Sequence, residues 1–463
     1  MHHLHSFFRN TLYLCPRFIF NHHSCFLLLM ESLEKYLIVV LTVMTAASAL
    51  AGARTDVQMR SAANRVLKSS RPLEQVAYYP GMALYRQAGG GFAIISSDDS
   101  KPAVLAYSPC GSLNLSDGNP GFNWWLNATR KVMLRHQPLR ETTKPDPNRF
   151  PTSVQPLLTT TWGQREPFKF MCPFDTYVSD FSLYGTYTPD AGHYSVGCGP
   201  LAMAQYMNYY KFPKHGTGEE SVTVKYDQGD VTVHVNFEQA TYDWDNMIDD
   251  YQGEYTYEQG LAVAQLCYHC GVAAQTTWNS LGGGTTDARL VEAFTKHFNY
   301  NDTAHFVPRT RYDEPTWMEM IYSMLSSGNP IMYSAKDINL DQGILAGHNF
   351  IIDGYDENGL VHVNWGWYGV ENGYFDIALL NALQYTYDDW QAMYVGLYPN
   401  REQLQGDVNG DGKVGIDDVT DLIDLLLTGN TAGNDSADVN IDGRVTIEDV
   451  TTLIDYLLTG NWN

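Results

Sequence analysis

Near its end the chain repeats itself at an offset of 31 residues, and this repeat constrains the fold more than any other stretch. DVNGDGKVGIDDVTDLIDLLLTGN from Asp407 and DVNIDGRVTIEDVTTLIDYLLTGN from Asp438 agree at 18 of 24 positions. Each unit has oxygen donors at positions 1, 3 and 5, glycine at 6 for the sharp turn, a backbone carbonyl at 7 and a carboxylate at 12, which is the order a calcium loop requires. The ligands are Asp407, Asn409, Asp411, Lys413 (carbonyl) and Asp418, then Asp438, Asn440, Asp442, Arg444 (carbonyl) and Asp449, with Gly412 and Gly443 at the turns. A solvated acidic face would not need glycine at the sixth place twice, nor helical apolar spacing directly after each twelfth. The expectation is a small all-α unit holding two structural Ca²⁺.

The repeat also explains the charge. Lys and Arg total 29 against 52 Asp and Glu, a formal net charge of -23, and from Gln405 to Asn463 there are 12 acidic residues against Lys413 and Arg444. The tail therefore carries -10 and the other 404 residues -13. No Lys/Arg cluster offers phosphate a basic face, which argues against a nucleic-acid binder.

At the other end, Met30 to Ala53 (MESLEKYLIVVLTVMTAASALAGA) has a lysine, an apolar run from Tyr36 to about Leu50, and small residues at Ala47-Ser48-Ala49 and Ala51-Gly52-Ala53. The run is shorter than the ~20 residues that cross a bilayer, so a cleaved signal peptide is expected in place of a transmembrane anchor, with Met30 as the start and 1–53 as leader. The product is exported, secreted or held at a bacterial cell surface. Of seven cysteines, Cys15 and Cys25 precede the cut; Cys110, Cys172, Cys198, Cys267 and Cys270 remain, an odd count that leaves at least one thiol outside any intrachain bridge. Cys267-Tyr-His-Cys270 has metal-like spacing but no second pair, and reads as packing on a helix.

Three segments follow the leader. Residues 54–150 begin with a polar helical stretch, continue with short strands such as Gly91 to Ile95, and include a helix over Trp124 to Arg135; RETTKPDPNRFP from Arg140 reads as an exposed linker. Residues 151–399 are rich in glycine and aromatics, helical early and stranded late, and 405–463 form the acidic tail.

Within the middle segment, Ser195-Val-Gly-Cys-Gly-Pro-Leu-Ala-Met-Ala-Gln-Tyr-Met-Asn-Tyr-Tyr210 puts Cys198 just before a helical pattern, with Pro200 where a first turn tolerates it. Open N–H groups and the positive end of the helix dipole favour thiolate there. Taken alone, the segment leaves a buried structural thiol equally open. The later run GHNFIIDGYDENGLVHVNWGW from Gly347 to Trp367 reads as two strands about a turn at Asp353 to Gly359, bringing His348 opposite Asn364 within two residues of register. Asn364 would accept from the imidazole, Trp365 or Trp367 would shield that bond, and His362 would only pack. Cys, His 150 residues on and Asn 16 further on follow the order of papain-type thiol proteases, without their CGSCW signature.

These motifs resemble the streptopain family of cysteine peptidases: GCGPLAMAQYMNYYKFP around Cys198, GHNFIIDGYDENGLVHVNWGWYG around His348 and Asn364, and TTWGQREPF around Gln164. The resemblance implies an α+β, papain-like fold of a helical lobe and an antiparallel β lobe, with Gln164 and the Cys198 amide as oxyanion donors. LYRQAGGGFAIISSDDSKPAVLAYSP is similar to the family's α+β inhibitory propeptide. Ser280 to Gly284 partly resembles the stretch beside the family's substrate cleft, which makes Ser280, Gly282 and Trp365 candidate substrate contacts. Asn349 stands where the family usually has alanine, and Gly199 where valine is common. The tail resembles a type I dockerin, which implies a cohesin-type partner, with Leu422, Leu425, Leu426, Leu453, Leu457 and Leu458 available for packing.

The function expected is that of a secreted zymogen of a cysteine endopeptidase that needs no cofactor for catalysis and acts on protein or peptide. A silent adhesion scaffold and a Cys-His amidase or transpeptidase are the other classes; the intact quartet Cys198, His348, Asn364 and Gln164 argues against the scaffold.

Overall fold

The computed structural model describes residues 52–68, 71–116, 118–134, 142–280, 282–339, 344–378, 389–400, 405–409, 414–429 and 435–462. The leader apart from Gly52 and Ala53, with Cys15 and Cys25, lies outside them, as do Gly412 and the ligands Asp411 and Lys413. No described helix is long and apolar enough to cross a membrane.

The first segment opens with α1 (Asp56–Leu67), whose start is fixed by a capping box in which Thr55 and Gln58 satisfy each other's backbone N–H groups. Four strands follow: β1 (Leu73–Tyr79), β2 (Met82–Gln87), β3 (Phe92–Ser96) and β4 (Val104–Ser108). The expected helix starts four residues earlier than its apolar pattern, as α2 (Pro120–Met133), because Asn119 accepts from the Gly121 and Phe122 amides and Pro120 takes the first turn.

The second segment builds a helical lobe from α3 (Cys198–Tyr210), the hairpin β5 (Glu219–Tyr226) and β6 (Gly229–Asn236), α4 (Tyr257–Ala273), β7 (Thr277–Asn279), β8 (Gly282–Gly284) and α5 (Asp287–His297). Period-2 alternation in the hairpin turns Val222, Val224, Val231, Val233 and Val235 into the core of this lobe. Cys267 and Cys270 lie buried on α4, as packing; all described cysteines are free thiols. The rest forms a β lobe: β9 (His305–Pro308), α6 (Glu314–Ser326), β10 (Ile331–Asn339), β11 (Ile344–Tyr355), β12 (Val361–Asn364), β13 (Gly373–Phe375) and β14 (Asp389–Val395).

One antiparallel sheet of ten strands runs β1-β2-β3-β4-β13-β12-β11-β10-β14-β9. Its seam between the two segments is β4 against β13, with Tyr107 opposite Tyr374 and Ala106 opposite Phe375. A shared core crosses the seam: the Trp125 ring meets Phe375 edge-on at 4.9 Å, and Phe375 meets Trp365 at 5.0 Å. Burying such rings on both sides of the seam contributes on the order of 2 kcal/mol each.

The expected exposed linker is only partly so. Asp146 to Arg149 are exposed, but Thr142 is buried and donates to Asp376, while Thr143 donates to Glu314 through both its amide and its hydroxyl. Polar side chains near the strand ends hold this Pro-rich segment down where composition alone suggests solvent.

The tail consists of α7 (Ile416–Thr428) and α8 (Ile447–Thr459), closed on a core of Val408, Val419, Leu422, Ala437, Val439, Val450 and Leu453. This corrects the expected docking face. Leu422 and Leu453 are fully buried, and Leu425, Leu426 and Leu457 pack against them. The large apolar side chains left outside, besides Leu458 from the expected set, are Ile416, Ile423, Leu427, Ile441, Ile447 and Ile454.

Candidate active site

Cys198 is the first residue of α3, behind an N-cap, Gly197, that supplies no side-chain acceptor and has φ 96°, where an L side chain is strained. A Cβ on Gly197 would lie 2.8 Å from the Gly283 carbonyl, so the helix that begins at Cys198 starts directly against β8. Its first amides are left for the sulfur or for substrate. Glycine at 199, one of the departures from the resembled family, has a local cause: a Cβ there would come within 2.9 Å of the Thr285 methyl.

The Cys198 thiol is half-buried. Burial alone would raise its pKa, but the His348 imidazole, then the backbone amides of Asn349 and Gly199, outweigh it and hold the thiol below its ordinary value. By contrast, burial pushes the thiols of Cys172, Cys267 and Cys270 up.

His348 comes from β11, with 3% of its surface exposed. Its Nε2 lies 2.7 Å from the Trp365 main-chain carbonyl. A carbonyl only accepts, so Nε2 carries a proton and Nδ1 is the nitrogen with a lone pair for the thiol proton. Nδ1 is buried and has no other hydrogen-bond partner, so its lone pair is not engaged elsewhere.

The expected His348–Asn364 contact is not made. Asn364 pairs with Ile351, three residues beyond His348, because the turn closes between Asp356 and Leu360 and is centred on Asn358, later than the middle of Asp353 to Gly359; the bulge between Ile352 and Gly354 takes back only one residue of that offset. The Asn364 side chain donates to the Thr160 carbonyl at 2.7 Å and accepts from the Gly366 amide at 3.0 Å. It thereby fixes the backbone on both sides of Trp365 and aims that carbonyl at the imidazole. No side-chain motif signals a carbonyl acceptor, so sequence reasoning missed it.

Gln164 is half-buried, and its carbonyl accepts from the Val196 amide at 3.1 Å, stitching its segment to the one that leads into Cys198. Gly282 lies on β8, part of the wall against Gly197, whereas Ser280 is exposed at the tip of the β7–β8 turn. Trp365, expected to touch substrate, is fully buried: its indole N–H donates to the Glu371 carbonyl at 3.1 Å, and its ring packs on Phe350 at 4.7 Å.

What covers Trp365 and His348 is the first segment. A Cβ on Gly121, in the first turn of α2, would fall 2.4 Å from His348 Cδ2 and 2.5 Å from the Trp365 ring. Only glycine lets that backbone come so close. Asn119 fastens the turn by donating to the Glu371 carboxylate at 2.9 Å and the Val370 carbonyl at 3.2 Å.

In the tail, Asp449 is fully buried, with its carboxylate accepting from the Asn440 and Thr446 amides, and Asp418 accepts likewise from Val408, Asn409 and Gly415. Asp438, Asn440 and Asp442 surround the turn at Gly443, which has φ 84°. Among the described residues no three acidic or histidine side chains converge on a metal position, so calcium in the second repeat is supported by the spacing of the oxygen donors and the turn glycine. In the first repeat Asp407, Asn409 and Asp418 fall among the described residues.

Comparison with known proteins bears on the family of the chain. The profile of the Peptidase C10 family matches residues 162–375, that of the Spi protease inhibitor residues 44–133 and that of the Dockerin type I domain residues 405–458. Streptopain of Streptococcus pyogenes is 25% identical over 332 residues, covering 69% of this chain and 81% of that protein. The thiol protease/hemagglutinin PrtT of Porphyromonas gingivalis is 26% identical over 341 residues, 68% of this chain and 36% of that one. The structure of a prointerpain A fragment from Prevotella intermedia superposes with a TM-score of 0.61 at 34% identity, covering 71% of this chain and 99% of that one.

Proposed function

The chain belongs to the peptidase C10 family and is a cysteine peptidase; from that premise we propose that it is a secreted zymogen of an endopeptidase whose nucleophile is Cys198. The proposed division is leader 1–53, inhibitory propeptide 54–150, peptidase 151–399 and dockerin 405–463. The observation that carries the reading is Cys198 at the open N-terminus of α3, its thiol held below the ordinary value chiefly by His348 against the opposing effect of burial.

In the proposed cycle the thiol proton passes to His348 Nδ1, and the sulfur attacks the substrate carbonyl carbon. His348 then gives the proton to the leaving amine, and later takes one from the water that cleaves the acyl-enzyme. The Trp365 carbonyl holds Nε2–H throughout, and Asn364 holds that carbonyl. The Cys198 amide and the Gln164 side chain serve as oxyanion donors, each such donor being worth about 10²–10³ in rate. Gly282 and Ser280 belong to the wall along which substrate lies.

Inhibition by the propeptide is supported by Gly121, which sits on the imidazole edge, and by the clasp of Asn119 on Glu371. In the dockerin, two calcium-loaded loops would fix α7 and α8, leaving the pairs Ile416/Ile447, Ile423/Ile454 and Leu427/Leu458, each 31 residues apart, for a cohesin-type partner. The acidic tail needs no further cofactor, and the peptidase none.

Labelling with a thiol-protease affinity reagent tests the assignment. The processed protein should be labelled at Cys198 and the Cys198→Ala variant should not; equal labelling of the two would refute it.

A further inference from the structure

Cys198 and His348 come from different lobes, so the contact between them depends on what fixes one lobe against the other. Asp287 opens α5, which packs in the helical lobe through Leu290, Ala293 and Phe294, yet its carboxylate reaches into the β lobe. One oxygen accepts from the Lys336 ammonium of β10 at 2.6 Å and the other from the Tyr394 hydroxyl of β14 at 2.9 Å. Asp287 is 6% exposed, so both bonds form away from bulk water, where charge-assisted hydrogen bonds are strong.

Both bonds lead to the neighbours of His348. Lys336 pairs with Gly347 across the sheet, and a Cβ on Gly347 would lie 3.0 Å from Lys336 Cγ, so the lysine stem runs over the residue just before the histidine. On the other side the Asn349 amide nitrogen donates to the Tyr394 hydroxyl at 3.4 Å, and the Asn349 backbone N–H acts on the Cys198 sulfur. This accounts for asparagine at a position where the resembled family usually has alanine.

We propose that Asp287 is a positioning residue of the peptidase, gripping β11 on both sides of His348 through Lys336 and Tyr394 and so holding the imidazole and the Asn349 amide in register with Cys198. The inference rests on Cys198 and His348 being the reacting pair. The carboxylate has no route to the substrate bond itself and takes no proton in the cycle. Burial would raise the Asp287 carboxyl, but Lys336, then Ser334 and Tyr394, outweigh it and keep it below its ordinary value, which favours the ionised form in the grip.

The test compares wild type with Asp287→Ala, Asp287→Asn and Tyr394→Phe, following alkylation of Cys198 by iodoacetamide against pH in the full chain, with peptide mapping to separate it from exposed Cys110. If the strand slips, the thiolate loses both the imidazolium and the amide. Asp287→Ala should then shift the alkylation midpoint up by about one pH unit. In processed enzyme its kcat/KM should fall about 10- to 100-fold, mostly in kcat, as expected for misplaced reacting groups. Asp287→Asn, which can still accept from Tyr394, should fall between, and Tyr394→Phe should move the midpoint the same way by a smaller step. An unchanged midpoint in both Asp287→Ala and Tyr394→Phe would overturn the proposal, as would a loss of thermal stability with no change of profile. If Asp287→Ala does not fold, Tyr394→Phe decides alone. Processed wild-type enzyme that is not alkylated at Cys198 would overturn the catalytic assignment as well, a result separate from an unshifted profile.

Discussion

The Nε2 of His348 donates to the main-chain carbonyl of Trp365 at 2.7 Å, and the carboxamide of Asn364 holds that carbonyl in place without touching the ring. Orientation of the His348 ring, the proposed general base, is thus carried by backbone, one residue away from the asparagine that the linear order points to.

Replacing Asn364 therefore acts at one remove. Asn364→Ala removes a donor to Thr160 and an acceptor for Gly366, both buried, and should cost about 1–3 kcal/mol of stability. Activity should fall about tenfold, well short of His348→Ala, which abolishes it. Denaturant melts and kcat/KM on the same preparations check this; a loss equal to that of His348→Ala would mean that the carboxamide touches the ring during turnover.

Gly121→Ala adds a methyl group where His348 and Trp365 leave no room. Overpacking of this kind costs about 1–3 kcal/mol, here in the docking of the propeptide on the peptidase. The unprocessed chain should be labelled faster at Cys198 and processed sooner than wild type, although alanine favours helix. Unchanged labelling would show that the propeptide's hold lies elsewhere.

His269, fully enclosed on α4 with its Nδ1 3.0 Å from the Tyr242 hydroxyl, is driven by burial down to about 3. Its folded pKa lies below the unfolded value of 6.5, so it stays neutral in the fold while the unfolded chain takes up a proton below 6.5. Its contribution is fully present above that pH and is lost as pH falls toward the folded value, about 3 kcal/mol between pH 7 and pH 4. Stability of His269→Gln should depend less on pH over this window; an equal loss of unfolding free energy between the two pH values in wild type and variant, measured by urea melts, would contradict the buried neutral state.

Calcium should order the tail. Asp449→Ala removes the twelfth ligand of the second loop and the cap of α8 together, so the wild-type chain should show a saturable calcium-dependent change in the fluorescence of Trp462, which stacks on Tyr456 at 3.8 Å. The variant should lose most of it. Absence of any response in wild type would count against calcium in these loops.

Much of this was legible in the chain itself. The helix behind Cys198, the packing of Cys267 and Cys270 and the paired tail helices follow from spacing and capping residues. Asn364 and the docking leucines were misplaced for different reasons. The turn between β11 and β12 is centred on Asn358 and not on the middle of Asp353 to Gly359, and an offset of this kind leaves no mark in an apolar pattern. Leu422 and Leu453 look available until the two helices close on each other, whereas the isoleucines at 416 and 447 look like core and stand in solvent. Asp287 reads as a first-turn acidic residue of a helix, and only the sheet shows that its partners are Lys336 and Tyr394.

Removal of the first segment at the proposed boundary would leave β13 as the terminal strand of the enzyme's own sheet, with main-chain groups of Tyr374 and Phe375 that face Tyr107 and Ala106 turned to water. Such a border invites a neighbouring molecule to add a strand, a hazard that grows with its length and flatness. At three residues, Gly373 to Phe375, this one is too short to template much of a partner. The precursor can thus lean on a long continuous sheet for cohesion, and the processed enzyme would still emerge with little to nucleate self-association.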